Sequence, residues 1–235
     1  MRLVLIVGLT LGAVAVVSVL PSIPQSQSYH QFADQRRLLG VSNFLNVFSN
    51  APLFLVAILG LFYLWQQGTA HRGSAFVERK EQWPYLVLFL GVGLTCFGSA
   101  YYHLAPNNSR LFWDRLPMTL VFMSFFAIII TEWINVKAGL LLLLPLLIFG
   151  AGSVIYWHWS ELHGAGDLRL YILAQFYPMF AIPFILLLFS ARYTRSMDLW
   201  VVFGLYAAAK LFELLDGKIF SLGQIVSGHT LKHLA

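Results

Sequence analysis

Three histidines, one aspartate and one serine carry types and spacings suited to chemistry. Ser99 and His103 lie four residues apart in Gly98-Ser99-Ala100-Tyr101-Tyr102-His103, so on a helix they share one face. His229 and His233 repeat that interval near the end of the chain, which lets both imidazoles point at one atom. Asp114 follows His103 by a hairpin-length interval. Neutral imidazoles bind Zn²⁺ at about 2.0–2.1 Å, and a catalytic zinc keeps three protein ligands plus water. His103, His229 and His233 would fill that set. The metal would bring its water's pKa to about 7. Asp114 would accept the water's proton and pass it to a leaving group, and Ser99 would donate to a developing oxyanion or position the water. The bland alternative for any one intramembrane histidine is a hydrogen bond to a neighbouring helix. The i, i+4 pair with a third histidine favours a metal.

The elements that must position these residues are membrane helices. The chain has 235 residues, 59% hydrophobic and 11% charged, with a mean hydropathy of +0.74. Soluble domains are about one quarter charged. Repeated apolar runs near twenty residues predict an all-α, polytopic membrane protein with no separate soluble domain. The net charge of +5 and pI of about 9.4 do not indicate a nucleic-acid partner, because the basic residues are scattered among loops, where anionic lipid headgroups suit them. Cys96 is the single cysteine, so no intramolecular disulfide forms. It lies seven residues before His103 and could share its face, but a small buried thiol is the ordinary reading.

Residues 1–20 read as a hydrophobic helix, either an anchor or a signal peptide, and residues 21–41 as a polar loop. Residues 42–235 read as a seven-helix bundle, with segments near 42–65, 85–104, 112–131, 138–157, 170–190, 199–215 and 222–235. The tryptophans fall at or near segment ends, as interfacial rings do. Short loops make neighbouring segments antiparallel. Parity then puts the end carrying His103, the start carrying Asp114 and the segment carrying His229 and His233 on one membrane face, with Asn43, Asn46 and Asn50. A small excess of cations in the opposite loops favours an exoplasmic site.

Other polar positions are more ambiguous. Lys210, Glu213 and Asp216 form a stripe that is either a structural ion pair or a headgroup contact beside the metal. Asp167 and Arg169 either bind headgroups or are solvated, and Gln175 and Tyr177 either line a cavity or bond between helices. Glu78 to Glu81 reads as a solvated charged loop. His30, His71, His158 and His163 fall in predicted loops.

The stretch Phe97-Gly98-Ser99 through His103, Asp114 with Arg115-Leu116-Pro117-Met118, the terminal His-x-x-x-His and the opening Ser42-Asn43-Phe44-Leu45-Asn46 together resemble the alkaline ceramidase family. That family belongs to a group of seven-helix membrane hydrolases related to adiponectin and progestin receptors. The likeness runs from about Tyr29 to Ala235 and leaves the first helix as an addition. It implies a zinc-dependent amidase, with His103, His229 and His233 on the metal and Asp114 and Ser99 on the water and carbonyl. The implied reaction cleaves a ceramide into a sphingoid base and a fatty acid, with a lipid drawn from the bilayer as substrate.

Two departures qualify it. Eukaryotic members carry an acidic calcium site before the first core helix, where this chain has Asn43 and, upstream, only Asp34 beside Arg36 and Arg37. Calcium prefers several charged oxygens, so calcium is not expected. The final segment is also short, about 21 Å at 1.5 Å per residue against a hydrocarbon core of about 30 Å. Two other readings stay open: hydrolysis of a lipid acyl ester on the same scaffold, or a lipid receptor or sensor with a structural zinc. No obligate protein partner is legible.

Overall fold

The computed structural model describes residues 1–69, 75–194 and 197–235, and His71 lies outside them. Among the described residues the chain is all helical, with no strand. In order the helices are α1 (Arg2–Val19), α2 (Phe44–Phe48), α3 (Ala51–Thr69), α4 (Gln82–Leu104) and α5 (Asn108–Ile129). They continue as α6 (Val136–Leu162), α7 (Arg169–Leu188), α8 (Met197–Leu214), α9 (Asp216–Ser221) and α10 (Gly228–Leu234). Six spans are long and apolar enough to cross a bilayer: α1, α2 with α3, α4, α5 with its terminal π-turn, α6 and α7. The segments expected over 199–215 and 222–235 fall outside that group. α8 carries Asp198, Lys210 and Glu213. The last segment, expected as one helix over 222–235, is corrected to a single short helix, α10, preceded by a non-helical stretch after α9 ends at Ser221. Gln224 has φ 52°, a left-handed value that interrupts a helix, and α10 restarts only at Gly228.

Local signals set the boundaries. The Asn107 side chain accepts from Arg110 N, the Asn135 side chain from Ala138 N, and the Ser227 side chain from Thr230 N, capping α5, α6 and α10. α5 is the central helix, buried over two thirds of its apolar stretch, and packs against α4, α6 and α7. It ends in a π-helical turn, Ile130–Ile134. Pro117 has no N–H to return to the Trp113 carbonyl. That carbonyl faces Gly98, where an added Cβ would lie 2.1 Å away. Only glycine lets α4 approach α5 this closely beside Ser99 and Asp114.

Two apolar cores lie along the bundle. One gathers Phe32, Tyr102, Leu111, Val154, Trp157, Leu168 and Tyr171. The other gathers Phe126, Ile129, Trp133, Ile182 and Ile185, with Ile6 and Leu9 of α1 packed on it. α1 also meets α7 through the Thr10 and Tyr177 hydroxyls, 2.5 Å apart. Residues 21–41 are more than a polar loop. Phe32 is buried, and its ring packs on Tyr102, His103 and His229.

The charged stretch expected to be solvated is corrected in part. Glu81 is 2% exposed, accepting from Tyr193 Oη at 2.6 Å and Arg192 Nη2 at 3.3 Å. Burial of a carboxylate requires such partners. His158 lies on α6 rather than in a loop, because α6 continues to Leu162.

Candidate metal centre

The end of α4 and the short α10 bring His103, His229 and His233 together, with one ligand atom of each inside a cluster no wider than 4.8 Å. Their ring centroids are 4.8, 5.0 and 5.0 Å apart, a near-equilateral triangle. His103 Nε2 and His229 Nε2 face each other at 3.3 Å. Two nitrogens about 2.0–2.1 Å from a tetrahedral zinc are separated by about 3.3–3.4 Å, so this pair is already spaced for shared coordination. The donor set suits zinc and equally other first-row cations that favour imidazole. Cys96 is buried but is not among the clustered ligands.

A hydrogen bond aims the His233 ring, and backbone tethers place His103 and His229. Ser49 Oγ lies 2.7 Å from His233 Nδ1, leaving Nε2 for the centre. His229 N donates to Asp216 Oδ1 at 2.7 Å, and Asp216 Oδ2 accepts from Ala33 N at 2.9 Å, so one carboxylate ties the loop to the start of α10. Gly228 makes this contact sterically possible: an added Cβ would lie 2.1 Å from Phe212 O. Thr230 Oγ1 donates to Asn46 Oδ1 at 2.8 Å. Asn43 sits at φ 50°, a left-handed conformation that asparagine tolerates, and its Nδ2 donates to His103 O at 2.8 Å. Asn50 instead bonds back to Asn46 O within its own helix turn.

Asp114 and Ser99 are both buried where α4 meets α5. Ser99 is a hydrogen-bonding neighbour of the Asp114 carboxyl, whose Oδ1 has no partner. Asp114 stands outside the cluster of ligand atoms. It has Lys232, Arg115 and Glu213 within electrostatic reach. Asp114 Oδ1 is thus a buried acceptor without a partner, and its neighbour Ser99 lies one turn of α4 before His103.

The Lys210 stripe divides. Lys210 Nζ pairs with Glu213 at 2.9 Å, while Lys232, between the two histidines of α10, takes the other oxygen of Glu213 at 2.6 Å. Asp216 serves backbone amides. Asp167 is bound by Arg169 at 2.8 Å. Asp34 is held on both oxygens by Arg36, at 2.8 and 2.7 Å, and this guanidinium keeps its carboxyl below the usual carboxylate range. Arg36 also donates to the carbonyls of Gln224 and Ile225, bracing the approach to α10. Ser49, Phe32, Asp216 as a tether, and Lys232 were missed in the sequence. The signal for Ser49 was its place three residues beyond Asn46 in a polar-studded apolar segment.

Comparison with protein-family models, with curated proteins and with solved structures gives no match for this chain. Its functional reading rests on residues and geometry.

Proposed function

We propose that this chain is an intramembrane zinc-dependent amidase that cleaves a long-chain acyl amide of the ceramide type. Its architecture on this reading is a seven-helix bundle preceded by one additional N-terminal helix. The observation that carries the proposal is the convergence of His103, His229 and His233 beside a buried Asp114–Ser99 pair at the same end of the bundle. The cation excess in the opposite loops supports an exoplasmic position for that end.

Zinc, when bound by the three imidazoles, acidifies water and polarises a carbonyl. The other steps belong to side chains. Asp114 takes a proton from the attacking water as its oxygen bonds to the amide carbon. Ser99 donates to the oxyanion that develops there. Asp114 then returns the proton to the amide nitrogen as the C–N bond breaks, giving a carboxylic acid and an amine, which become carboxylate and ammonium once the acid's proton passes to the amine. Phe32, packed over two of the imidazoles, shields this end from bulk water.

The test is purified protein with measured metal content, presented with a ceramide panel and assayed for fatty-acid release. About one zinc per chain and release abolished by a chelator are expected. Bound zinc with no release from ceramide or from acyl-ester lipids would instead mark a zinc-containing sensor.

A further inference from the structure

Donors outnumber acceptors on the α7–α8 side of the histidine cluster. Lys210 and Lys232 offer six N–H groups between them, yet both turn to the single carboxylate of Glu213. The Lys210 ammonium also lies over the rings of Phe176 and Tyr206, at 5.7 and 5.9 Å. Tyr206 Oη is buried with Gln175, itself 6% exposed, as its hydrogen-bonding neighbour, and its own proton has no acceptor. Further in, Arg115 is 6% exposed and has no carboxylate partner. Its Nη2 donates to Gln25 at 2.7 Å, its guanidinium rests on Trp157 and Tyr171, and its Nη1 has no partner at all.

The nearby acids do not balance this excess. Asp216 is filled by backbone amides. Glu161 accepts from Gln25 N, Trp157 Nε1 and Asn108. Asp114 is the proton acceptor of the proposed reaction. A buried donor left unpaired is costly, and although the Asp114 carboxylate is within electrostatic reach of Lys232, two ammoniums that each make one hydrogen bond to Glu213 leave further N–H groups without an acceptor. The missing acceptor has the chemistry of an anion.

We propose that the lipid taken by this site carries a phosphate or carboxylate near its scissile amide, received by Lys210 and Lys232 together with the Tyr206 hydroxyl. This deepens the amidase reading and rests on it for the position of the amide. Lys232 lies between the two imidazoles of α10 and within electrostatic reach of Asp114, so a headgroup bound to it stands beside the reacting atoms. Lys210, 35% exposed, forms the outer edge of the subsite towards α7. An uncharged ceramide would leave both ammoniums with Glu213 as their one shared hydrogen-bonding acceptor.

Binding is tested on the full chain in uncharged detergent after chelator treatment, so that coordination of an anion by metal contributes nothing. Dodecyl phosphate, dodecanol and inorganic phosphate are titrated calorimetrically. Charge-assisted hydrogen bonds to two ammoniums predict that dodecyl phosphate binds about tenfold or more tightly than dodecanol. Lys210→Gln leaves the Lys232–Glu213 pair in place and removes most of that preference. Arg79→Gln, outside the subsite, leaves it unchanged and so controls for the protein's overall positive charge. Equal affinity for the two amphiphiles, a preference that survives Lys210→Gln, or inorganic phosphate competing as well as dodecyl phosphate would each overturn the proposal. A second arm separates it from the amidase reading: zinc-loaded protein is given matched acyl amides with and without a phosphate. Cleavage favouring the uncharged amide sinks the headgroup assignment alone. Cleavage of neither, with phosphate-selective binding intact, sinks the amidase reading and leaves the anion subsite standing.

Discussion

Replacing Ser49 by Ala tests the centre through a residue that would not touch the metal. Ser49 Oγ lies 3.3 Å from Asn46 O and 2.7 Å from His233 Nδ1. A hydroxyl has one proton, so donating it to Asn46 O makes it the acceptor for Nδ1–H, which fixes the tautomer that leaves Nε2 free for metal. Loss of such an outer partner costs about 10–100-fold in metal affinity. The partner here is a neutral hydroxyl rather than a carboxylate, which favours the lower end. Burial works against it, since Ser49 is 8% exposed and an orphaned buried N–H costs about 1–3 kcal/mol. Weakening of about tenfold, near 1.4 kcal/mol, is therefore expected. Competition with a fluorescent zinc chelator measures it on detergent-solubilised protein. Ser18→Ala provides the control, because Ser18 bonds only to Val14 O on exposed α1. Zinc affinity unchanged within about twofold in Ser49→Ala would falsify the tautomer argument and the assignment of His233 as a ligand through Nε2.

Asp114→Asn should retain zinc and lose about 10²-fold or more in turnover, whereas His229→Ala should lose the metal itself; elemental analysis with a fatty-acid release assay separates the two. Hydrolysis should persist in a calcium-selective chelator with zinc buffered, because Asp34 is committed to Arg36; activity that disappears and returns with added calcium refutes this. Asp34 and Asp167 both have carboxyl pKa values held below the ordinary 3.8, each chiefly by a side-chain hydrogen bond from its arginine. Their contributions to stability are present above the unfolded value and disappear as pH falls through the folded one. The stability gap between wild type and Asp34→Asn should be constant near neutral pH and close below about pH 4, read by thermal unfolding.

Much of the cluster was legible because its determinants are local. The i, i+4 spacings of Ser99 with His103 and of His229 with His233 follow from helix geometry, and the short turn after α4 returns the chain to Asp114 at the end that carries His103. What escaped depends on breaks in helices. Ser49, at the C-cap of the five-residue α2, reaches His233 from a position that the expected helix over 42–65 did not single out. The last segment was read as one helix over 222–235, where α10 alone forms, from Gly228. Gly223 as a stop and Ser227 followed by Thr230 as a start were present in the sequence, and they are the signals that separate α9 from α10. Glu81 was read as solvated because charge runs usually are. Its burial depends on Arg192 and Tyr193, more than a hundred residues away.

The positioning of α10 explains how a helix of seven residues can present two ligands. Its buried residues are Gly228, His229 and Thr230, so apolar burial contributes little to holding it. Polar tethers hold it instead: Asp216 at its first turn, Asn46 on Thr230, Ser49 on His233 and Glu213 on Lys232. They run to three elements, with Asp216 on α9, Asn46 and Ser49 on α2 and its C-cap, and Glu213 on α8. Hydrogen bonds are directional and strengthen where water is excluded. Four of them with distinct directions fix the rotation as well as the position of a short helix, which nonspecific apolar contact would not. Metal binding to its two histidines and to His103 would add a further link, to α4. Site assembly and the docking of α10 are then one equilibrium, in which metal affinity reports how well the tethers hold.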